Sequence, residues 1–275
     1  DRMVDFYEEK GATGLTILGM MGEAGKLSAE ESALVIQRVC ERASVPVVVG
    51  VSAPGFSTIE ALTAVAIDKG AAAVMVAPSS GLRTDREIRS YFETVSERLG
   101  DVPWVLQDFP LVTGVKIEPS VILDIVKSCP NCVMLKHEDW PGLEKISTLR
   151  RASDDGARRI SVLCGNGGLY LVEEMIRGAD GAMTGFAFPE MMAGVVQHMK
   201  AGQQDEARAI FDAYMPLIRY EAQPGLGLAI RKYILAKRQA IAHSTVRAPG
   251  PKLSAATIAE IETLIARQEE RLASL

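Results

Sequence analysis

A lysine at the end of an apolar run is the clearest candidate for chemistry in this sequence. Lys136 follows Val133-Met134-Leu135, and alternation along a strand would place Lys136 on the same side as Met134. Burying a lysine costs free energy unless its amine is paired or neutralised. A desolvated lysine is the nucleophile that forms a Schiff base with carbonyl substrates. The alternative, a lysine exposed just beyond the strand, is equally compatible with the spacing.

Two glycine-rich segments have the composition of anion-binding loops. Gly19-Met20-Met21-Gly22-Glu23 follows the first apolar run, where its backbone N–H groups can face a substrate carboxylate. Gly165-Asn166-Gly167-Gly168 follows a later run and is compatible with a tight turn or with a phosphate site. Loops with two glycines are common, so neither segment is specific by itself.

Cysteine redox chemistry and metal binding are weaker interpretations. Cys129 and Cys132 have the spacing of a redox pair, but they lie where a helix should end rather than begin, so we expect a structural role. His137-Glu138-Asp139 and Asp108 offer metal-ligand atoms, yet the chain has 3 histidines and no His-x-His or His-Glu-x-x-His pattern. We therefore expect neither a metal nor another cofactor.

The elements that must position these residues are apolar runs alternating with amphipathic stretches. The runs are rich in Val, Ile, Leu and Ala, as in parallel strands covered on both faces. They span residues 13–18, 46–52, 71–77, 103–107, 132–136, 160–164 and 181–185. Repeated strand–helix units without a Gly-x-Gly-x-x-Gly motif favour a TIM (β/α)8 barrel over a dinucleotide-binding sheet. Because such a barrel has eight strands and the sequence opens on a helical pattern, we expect the first strand to be missing.

Capping residues mark the helix boundaries. Ser28 and Glu31 have the spacing of a capping box, and Ser57, Thr84 and Pro119 also indicate helix starts. The helices predicted between strands include residues 29–42, 58–69, 85–99 and 119–128. Those predicted after the last strand span residues 189–200, 203–220, 225–242 and 254–273. We therefore assign residues 1–200 to the barrel and residues 201–275 to a C-terminal helical extension that is not an independent domain.

Composition narrows the class of partner. The 275-residue chain carries a net charge of −5 and is only 5% aromatic, which argues against nucleic acid as a partner. No apolar run approaches the roughly 20 residues that span a bilayer, so we expect no membrane partner. Four cysteines in a chain of this length form no disulfide framework, which favours a reducing, cytoplasmic location.

Several segments, in this order, resemble the dihydrodipicolinate synthase/N-acetylneuraminate lyase family. Residues 19–23 resemble that family's Gly-Thr-Thr-Gly-Glu loop, and residues 133–136 resemble the strand that carries its Schiff-base lysine. Residues 107–110, Gln-Asp-Phe-Pro, lie where the family has Tyr-Asn-x-Pro. The resemblance spans nearly the whole chain. It implies a TIM barrel with a helical extension, usually a homotetramer built as a dimer of dimers, whose lysine forms an imine with pyruvate or another 2-oxo acid.

The sequence departs from the family pattern at positions that handle protons and carboxylates. The proton-shuttling tyrosine of the family is Gln107 here, and the two loop threonines are Met20 and Met21. The carboxylate-binding arginine of the synthases falls at Val112, and the tyrosine from a neighbouring subunit falls near Ser80. The resemblance is therefore closer to the branch that dehydrates 2-keto-3-deoxy sugar acids such as keto-deoxyarabonate.

Residues and resemblance together predict a Schiff-base lyase that acts on a small 2-oxo acid, preferably by dehydration of a 2-keto-3-deoxy sugar acid. The predicted catalytic residues are Lys136 and Gln107. The predicted substrate-binding residues are Gly19, Met20, Met21, Gly22, Glu23, Asp108, Glu138, Gly165, Asn166 and Met183. Two alternatives stay open: an aldol-type lyase or synthase such as dihydrodipicolinate synthase, and a non-catalytic regulatory protein that binds 2-oxo acids on the same scaffold.

Overall fold

Seven parallel strands form one curled sheet in the computed structural model, which describes residues 1–140 and 142–275. The strands follow the chain in the order β1 to β7, each paired with the next. Their bounds are β1 Leu15–Ile17, β2 Val47–Gly50, β3 Ala73–Val76, β4 Trp104–Asp108, β5 Cys132–His137, β6 Ser161–Cys164 and β7 Gly181–Ala182. Helices connect successive strands, and the fold is the predicted (β/α)8 barrel, with seven strands in the described residues.

The strands coincide with the predicted apolar runs, with differences at their ends. All four residues of β3 are buried, as expected for a strand covered on both faces. The last run is wrong in length, because β7 ends at Ala182 and residues 183–185 form a loop. Strands β4 and β5 each extend one residue beyond their run, to Asp108 and His137. These extra residues prove to be polar and buried.

Twelve helices are found in the described part of the chain, and several begin where capping predicts. The predicted capping box forms at Ser28 with Glu31, and a second forms at Thr84 with Glu87. The bounds are α1 Arg2–Glu9, α2 Ala29–Arg42, α3 Phe56–Asp68, α4 Asp85–Leu99, α5 Pro110–Thr113, α6 Pro119–Ser128, α7 Leu143–Asp154, α8 Leu171–Ile176, α9 Pro189–Lys200, α10 Gln204–Glu221, α11 Gly227–Lys237 and α12 Ala255–Leu272.

Two helix predictions need correction. Helix α3 starts at Phe56, so Ser57 is its second residue, and Gly55 takes the extended backbone conformation of the N-cap. Helix α11 is shorter than the predicted 225–242, because it ends at Lys237 and the backbone of Gln239 turns to a positive φ of 62°.

The buried apolar residues form two clusters, and residues of the barrel contribute to both. One lies under helices α2 to α7 and includes Phe92, Trp104 and Ile122. The other joins the end of the barrel to the extension and includes Met191 and Leu217. Residues 201–275 therefore complete a core that the barrel also lines. None of the described helices is both long and apolar enough to cross a membrane.

Candidate active site

Three polar side chains meet at the carboxyl ends of β4 and β5. Gln107 and Lys136 are register partners on these neighbouring strands, so their side chains leave the sheet on the same face. Glu138 follows β5 and returns to that face two residues after Lys136. Its Oε2 accepts a hydrogen bond from Gln107 Nε2 at 2.7 Å and lies 3.4 Å from Lys136 Nζ. The three residues are buried, with 7% of Lys136 exposed.

The second glycine loop holds Glu138 in place. Asn166 Nδ2 donates to the backbone oxygen of Glu138 at 2.8 Å, and the N–H of Gly165 donates to the backbone oxygen of His137 at 2.8 Å. A Cβ on Gly165 would lie 2.1 Å from Glu138 Cγ, so glycine is required there for the carboxylate to take this position. This loop therefore positions the carboxylate of Glu138. The tight turn that was one interpretation of the sequence is present.

The first glycine loop forms a short 3-10 turn over Met20–Gly22. The N–H of Gly22 donates to the backbone oxygen of Gly19 at 2.9 Å. The first N–H groups of such a turn, those of Met20 and Met21, have no partner within the turn. The loop thus offers backbone donors without needing polar side chains, as the sequence predicts for a carboxylate site.

The side chain of Glu23 is used differently from the prediction. The carboxylate receives hydrogen bonds from Lys26 Nζ at 3.2 Å, Lys232 Nζ at 2.7 Å and the N–H of Arg247 at 2.9 Å. It is turned toward the helical extension, and the ammonium groups of Lys26 and Lys232 neutralise it. Burial acts to raise the pKa of Glu23, but the three hydrogen bonds outweigh burial and lower that pKa. The carboxylate is thus bonded to Lys26 and to the extension, and its contact with a substrate stays a prediction.

The side chain of Asp108 also differs from its prediction as a substrate-binding residue. Alternation along β4 directs it away from Gln107, toward helix α7. Its Oδ2 lies 2.5 Å from Lys145 Nζ, and Lys145 also pairs with Asp139 at 2.8 Å. Burial outweighs the attraction of Lys145 and raises the pKa of Asp108. Asp108 therefore joins the strand to the helix layer and does not line the site.

His137 shares this outer face with Asp108, its register partner. Its Nδ1 lies 3.0 Å from Glu174 Oε1 on α8, and both residues are buried. Neither Lys145 nor Glu174 stands out in the sequence as a buried charge. Each is next to an apolar residue of its helix, Ile146 and Met175 respectively. The hydrophobic pattern of a helix does not resolve which of two adjacent residues is buried, so it does not show that these charges lie inside.

Comparison with known proteins decides the family. The model of the dihydrodipicolinate synthetase family matches residues 1–268. The chain belongs to this family. Members of the family are lyases that form a Schiff base through a lysine, and the protein is such a lyase. Lys136 is the buried lysine at the strand end where the family resemblance places that nucleophile.

The relatives carry two kinds of name. A crystal structure of dihydrodipicolinate synthase from Rhodopseudomonas palustris is 53% identical, covers 97% of this chain and 89% of that one, and has a TM-score of 0.95. The L-2-keto-3-deoxyarabonate dehydratase of Azospirillum brasilense is 27% identical over 97% of this chain and 86% of that protein. The 4-hydroxy-tetrahydrodipicolinate synthase of Chlorobaculum parvum is 31% identical over 79% of this chain and 73% of that protein.

The remaining predicted positions are distributed around the same end of the barrel. Met183 begins the loop after β7, and its N–H donates to the backbone oxygen of Cys164 at 2.9 Å. The next residue, Thr184, accepts a hydrogen bond from the N–H of Gly167 at 2.7 Å, which ties this loop to the second glycine loop. Val112, where the family synthases carry arginine, lies in α5 and is 59% exposed.

The remaining cysteine and acidic residues have the following geometry. Within the described ranges, no three His, Cys, Asp or Glu side chains are grouped as metal ligands. Cys129 and Cys132 are buried free thiols, and burial raises the pKa of Cys132 to about 12. A thiol that holds its proton so firmly is a poor nucleophile, which agrees with a structural role.

Proposed function

We propose that this family member dehydrates a 2-keto-3-deoxy sugar acid through an imine on Lys136. The observation that carries the proposal is the buried chain from Gln107 through Glu138 to Lys136, with contacts of 2.7 and 3.4 Å. It places one proton-carrying group beside the amine. Gln107 itself has no proton to give or take near neutral pH.

Imine formation uses the backbone donors of the first glycine loop together with Lys136 and Glu138. The backbone donors of the loop at residues 19–22 hold the substrate carboxylate, which directs the neighbouring C2 carbonyl toward Lys136. Glu138 accepts the proton that the lysine ammonium must lose before Nζ can attack C2. Attack forms the C2–N bond, and the carbonyl oxygen leaves as water. The protonated imine then withdraws electrons from C3.

Elimination of the second water then needs one proton removed and one supplied. A base takes a proton from C3, and the electron pair forms an enamine with C2. The enamine pushes its electrons toward C4, the C4–O bond breaks, and the departing hydroxyl takes a proton and leaves as water. Glu138 can perform both transfers, because its carboxylate is a base first and an acid afterwards. Gln107 holds Glu138 and can orient the hydroxyl. Water then adds to C2 and the C2–N bond breaks, which releases the unsaturated 2-oxo acid and returns Lys136 as the amine.

Two positions favour this reaction over condensation with an aldehyde. The family's proton-shuttling tyrosine is replaced by Gln107, and the arginine that binds the aldehyde's carboxylate is replaced by Val112. A valine side chain offers no charge to a carboxylate. The dehydratase relative from Azospirillum brasilense supports the same assignment.

A second candidate function is dihydrodipicolinate synthase. Its support is the 53% identity to the Rhodopseudomonas palustris structure that carries this name, and the synthase names of several other relatives. The scaffold and the imine step are common to both reactions. They differ in the second substrate, since the synthase needs an aldehyde such as aspartate semialdehyde while the dehydratase needs none.

A direct substrate comparison tests the proposal. The purified protein would be assayed for turnover with a panel of 2-keto-3-deoxy pentonates and hexonates, and for condensation of pyruvate with aspartate semialdehyde. We expect turnover of at least one keto-deoxy acid without added aldehyde. Robust condensation together with inert keto-deoxy acids would overturn the dehydratase and establish the synthase.

We propose further that the protein assembles as a homotetramer and functions in the cytoplasm. The family habit supports the tetramer. Free thiols at Cys40, Cys129, Cys132 and Cys164 support a reducing compartment. Light scattering that shows a monomer at micromolar concentration would refute the assembly.

A further inference from the structure

A partly buried carboxylate links the first glycine loop to the helical extension. Glu23 ends the 3-10 turn at Met20–Gly22 in a left-handed backbone conformation, with φ of 61°. The side chain leaves the turn on the side of the extension, and only 8% of it is exposed. Lys232 of α11 donates to Glu23 Oε2 at 2.7 Å. The loop and the extension thus share one ion pair.

The same carboxylate fixes a segment that has no regular secondary structure. Residues 245–249, here called the strap, cross from α11 toward α12. The N–H of Arg247 donates to Glu23 Oε1 at 2.9 Å, and Lys232 Nζ donates to the backbone oxygen of Thr245 at 2.7 Å. Lys26 Nζ donates to the backbone oxygens of Arg247 and Pro249 at 3.0 and 2.8 Å. Every contact of this set either ends on Glu23 or involves a lysine that binds Glu23.

A second ion pair fixes the outer side of the strap. The guanidinium of Arg247 binds the carboxylate of Glu31 in two hydrogen bonds, of 2.5 and 3.2 Å. Glu31 belongs to the capping box that starts α2, immediately after the glycine loop. The strap is therefore joined to both ends of the segment that runs from the loop to the helix.

We propose that Glu23 is a positioning residue through which the extension sets the conformation of the carboxylate-binding loop. The inference rests on the proposed role of residues 19–22 in holding the substrate carboxylate. Without the Lys232 ammonium and the Arg247 N–H of the extension, the side chain of Glu23 loses two of its hydrogen-bond donors, and the N–H groups of Met20 and Met21 lose their fixed direction. Pre-organised donors bind an anion more tightly than donors that must first be ordered.

Coupling between two sites is reciprocal, which gives the proposal a second consequence. If the strap improves binding of the carboxylate at the loop, the bound carboxylate must equally stabilise the strap. Arg247 is exposed enough to be reached by trypsin, with 48% of its side chain accessible. A saturating 2-oxo acid should therefore slow tryptic cleavage after Arg247.

The test measures pyruvate binding separately from turnover, by borohydride trapping of the imine over a range of pyruvate concentrations. Glu23→Gln should raise the half-saturating concentration about tenfold, equivalent to about 1.4 kcal/mol, while the maximal adduct stays the same. Lys232→Met should shift it in the same direction and retains the carboxylate itself. Pyruvate should slow cleavage after Arg247 in the wild-type protein and have less effect in Glu23→Gln.

Glu262→Gln is the matched control. Glu262 binds a single lysine, Lys237, and accepts a hydrogen bond from Tyr233 at 2.6 Å, and both partners lie within the extension. The half-saturating pyruvate concentration of the Glu262→Gln variant should equal that of the wild-type protein. Normal half-saturation in Glu23→Gln and Lys232→Met, or an equal shift in Glu262→Gln, would overturn the inference while the imine stands. No adduct in the wild-type protein would overturn the proposed function and this inference with it.

Discussion

The two faces of strands β4 and β5 carry buried charges of very different character. On the inner face, Lys136 contacts Glu138 at 3.4 Å, and the carboxylate is held by an uncharged partner, Gln107. On the outer face, Lys145 lies between Asp108 and Asp139 at 2.5 and 2.8 Å. Both lysines are almost fully buried. The inner amine has one loose contact, whereas the outer amine has two close ones.

This difference shows that burial of a charge does not by itself identify an active site. A nucleophilic amine must have its lone pair available to attack the substrate, and a single long contact to one carboxylate leaves it available. An amine enclosed by two carboxylates is committed to the scaffold, and removing it leaves buried negative charge. The inner pair is therefore expected to determine activity and the outer pair stability. Substitutions of equal size on the two faces can separate these effects.

The largest effect is expected from the inner lysine. Lys136→Ala should abolish the borohydride-trapped pyruvate adduct and reduce turnover by more than about 10⁴-fold, because it removes the amine that lies beside Glu138 and forms the proposed covalent intermediate. Mass spectrometry of the trapped protein would locate the adduct on the peptide that contains Lys136. An adduct of equal yield in the alanine variant would assign the nucleophile elsewhere.

The inner carboxylate should come next. Glu138→Gln keeps the size of the side chain and its contact with Gln107 but removes the group that carries protons. We expect dehydration to slow by about 10²–10⁴-fold, the usual contribution of a general acid–base. The imine should still form, more slowly, and be trapped. Single-turnover measurements separate the two steps, and elimination at the wild-type rate would show that another group moves the proton.

The outer lysine should affect stability instead. Lys145→Met leaves Asp108 and Asp139 buried without their cation, and loss of one partner of a buried ion pair costs about 3–5 kcal/mol. Urea denaturation would measure the loss, with Lys136→Met as the matched control of the inner face. The folded fraction of Lys145→Met should still yield the pyruvate adduct. A stable Lys145→Met protein without the adduct would reverse the assignment of the two faces.

The sequence predicts the helices and strands of the barrel, but not which side chains of β4 and β5 face inward and which face outward. Helices at Ala29–Arg42 and Asp85–Leu99 begin after capping boxes, and their bounds are as predicted because capping is a local interaction. The strands are also located by a local pattern, the run of consecutive apolar residues. Asp108 was misplaced because its direction depends on where β4 ends, which the sequence predicted one residue too early.

The site was only partly predictable for a related reason. Lys136 was identified because a polar residue closes an apolar strand, a pattern visible within four residues. The contact between Glu138 and Gln107 joins residues 31 positions apart, and it depends on the register of β4 with β5. Glu23 was assigned to substrate by its neighbours in the motif, while its real partners, Lys232 and Arg247, lie more than 200 positions away. No local pattern contains such pairings.

The smallest effect is expected in the pH dependence of stability, and it concerns the outer face alone. Burial raises the pKa of Asp108 above its ordinary value of 3.8, in spite of Lys145. Between 3.8 and the raised pKa, the folded protein holds a proton that the unfolded chain has released. Stability contributed by this group is therefore greatest below pH 3.8 and declines as the pH rises through that window.

Asp108→Asn has no such titration, so the difference in unfolding free energy between wild type and variant should fall as the pH increases above about 4. Urea titrations at successive pH values would follow that difference, with Asp124→Asn as a control, since Asp124 pairs with Arg89 at the exposed surface. A difference that grew with pH would mean that Lys145 outweighs burial, and that the outer face holds a full ion pair instead of a shared proton.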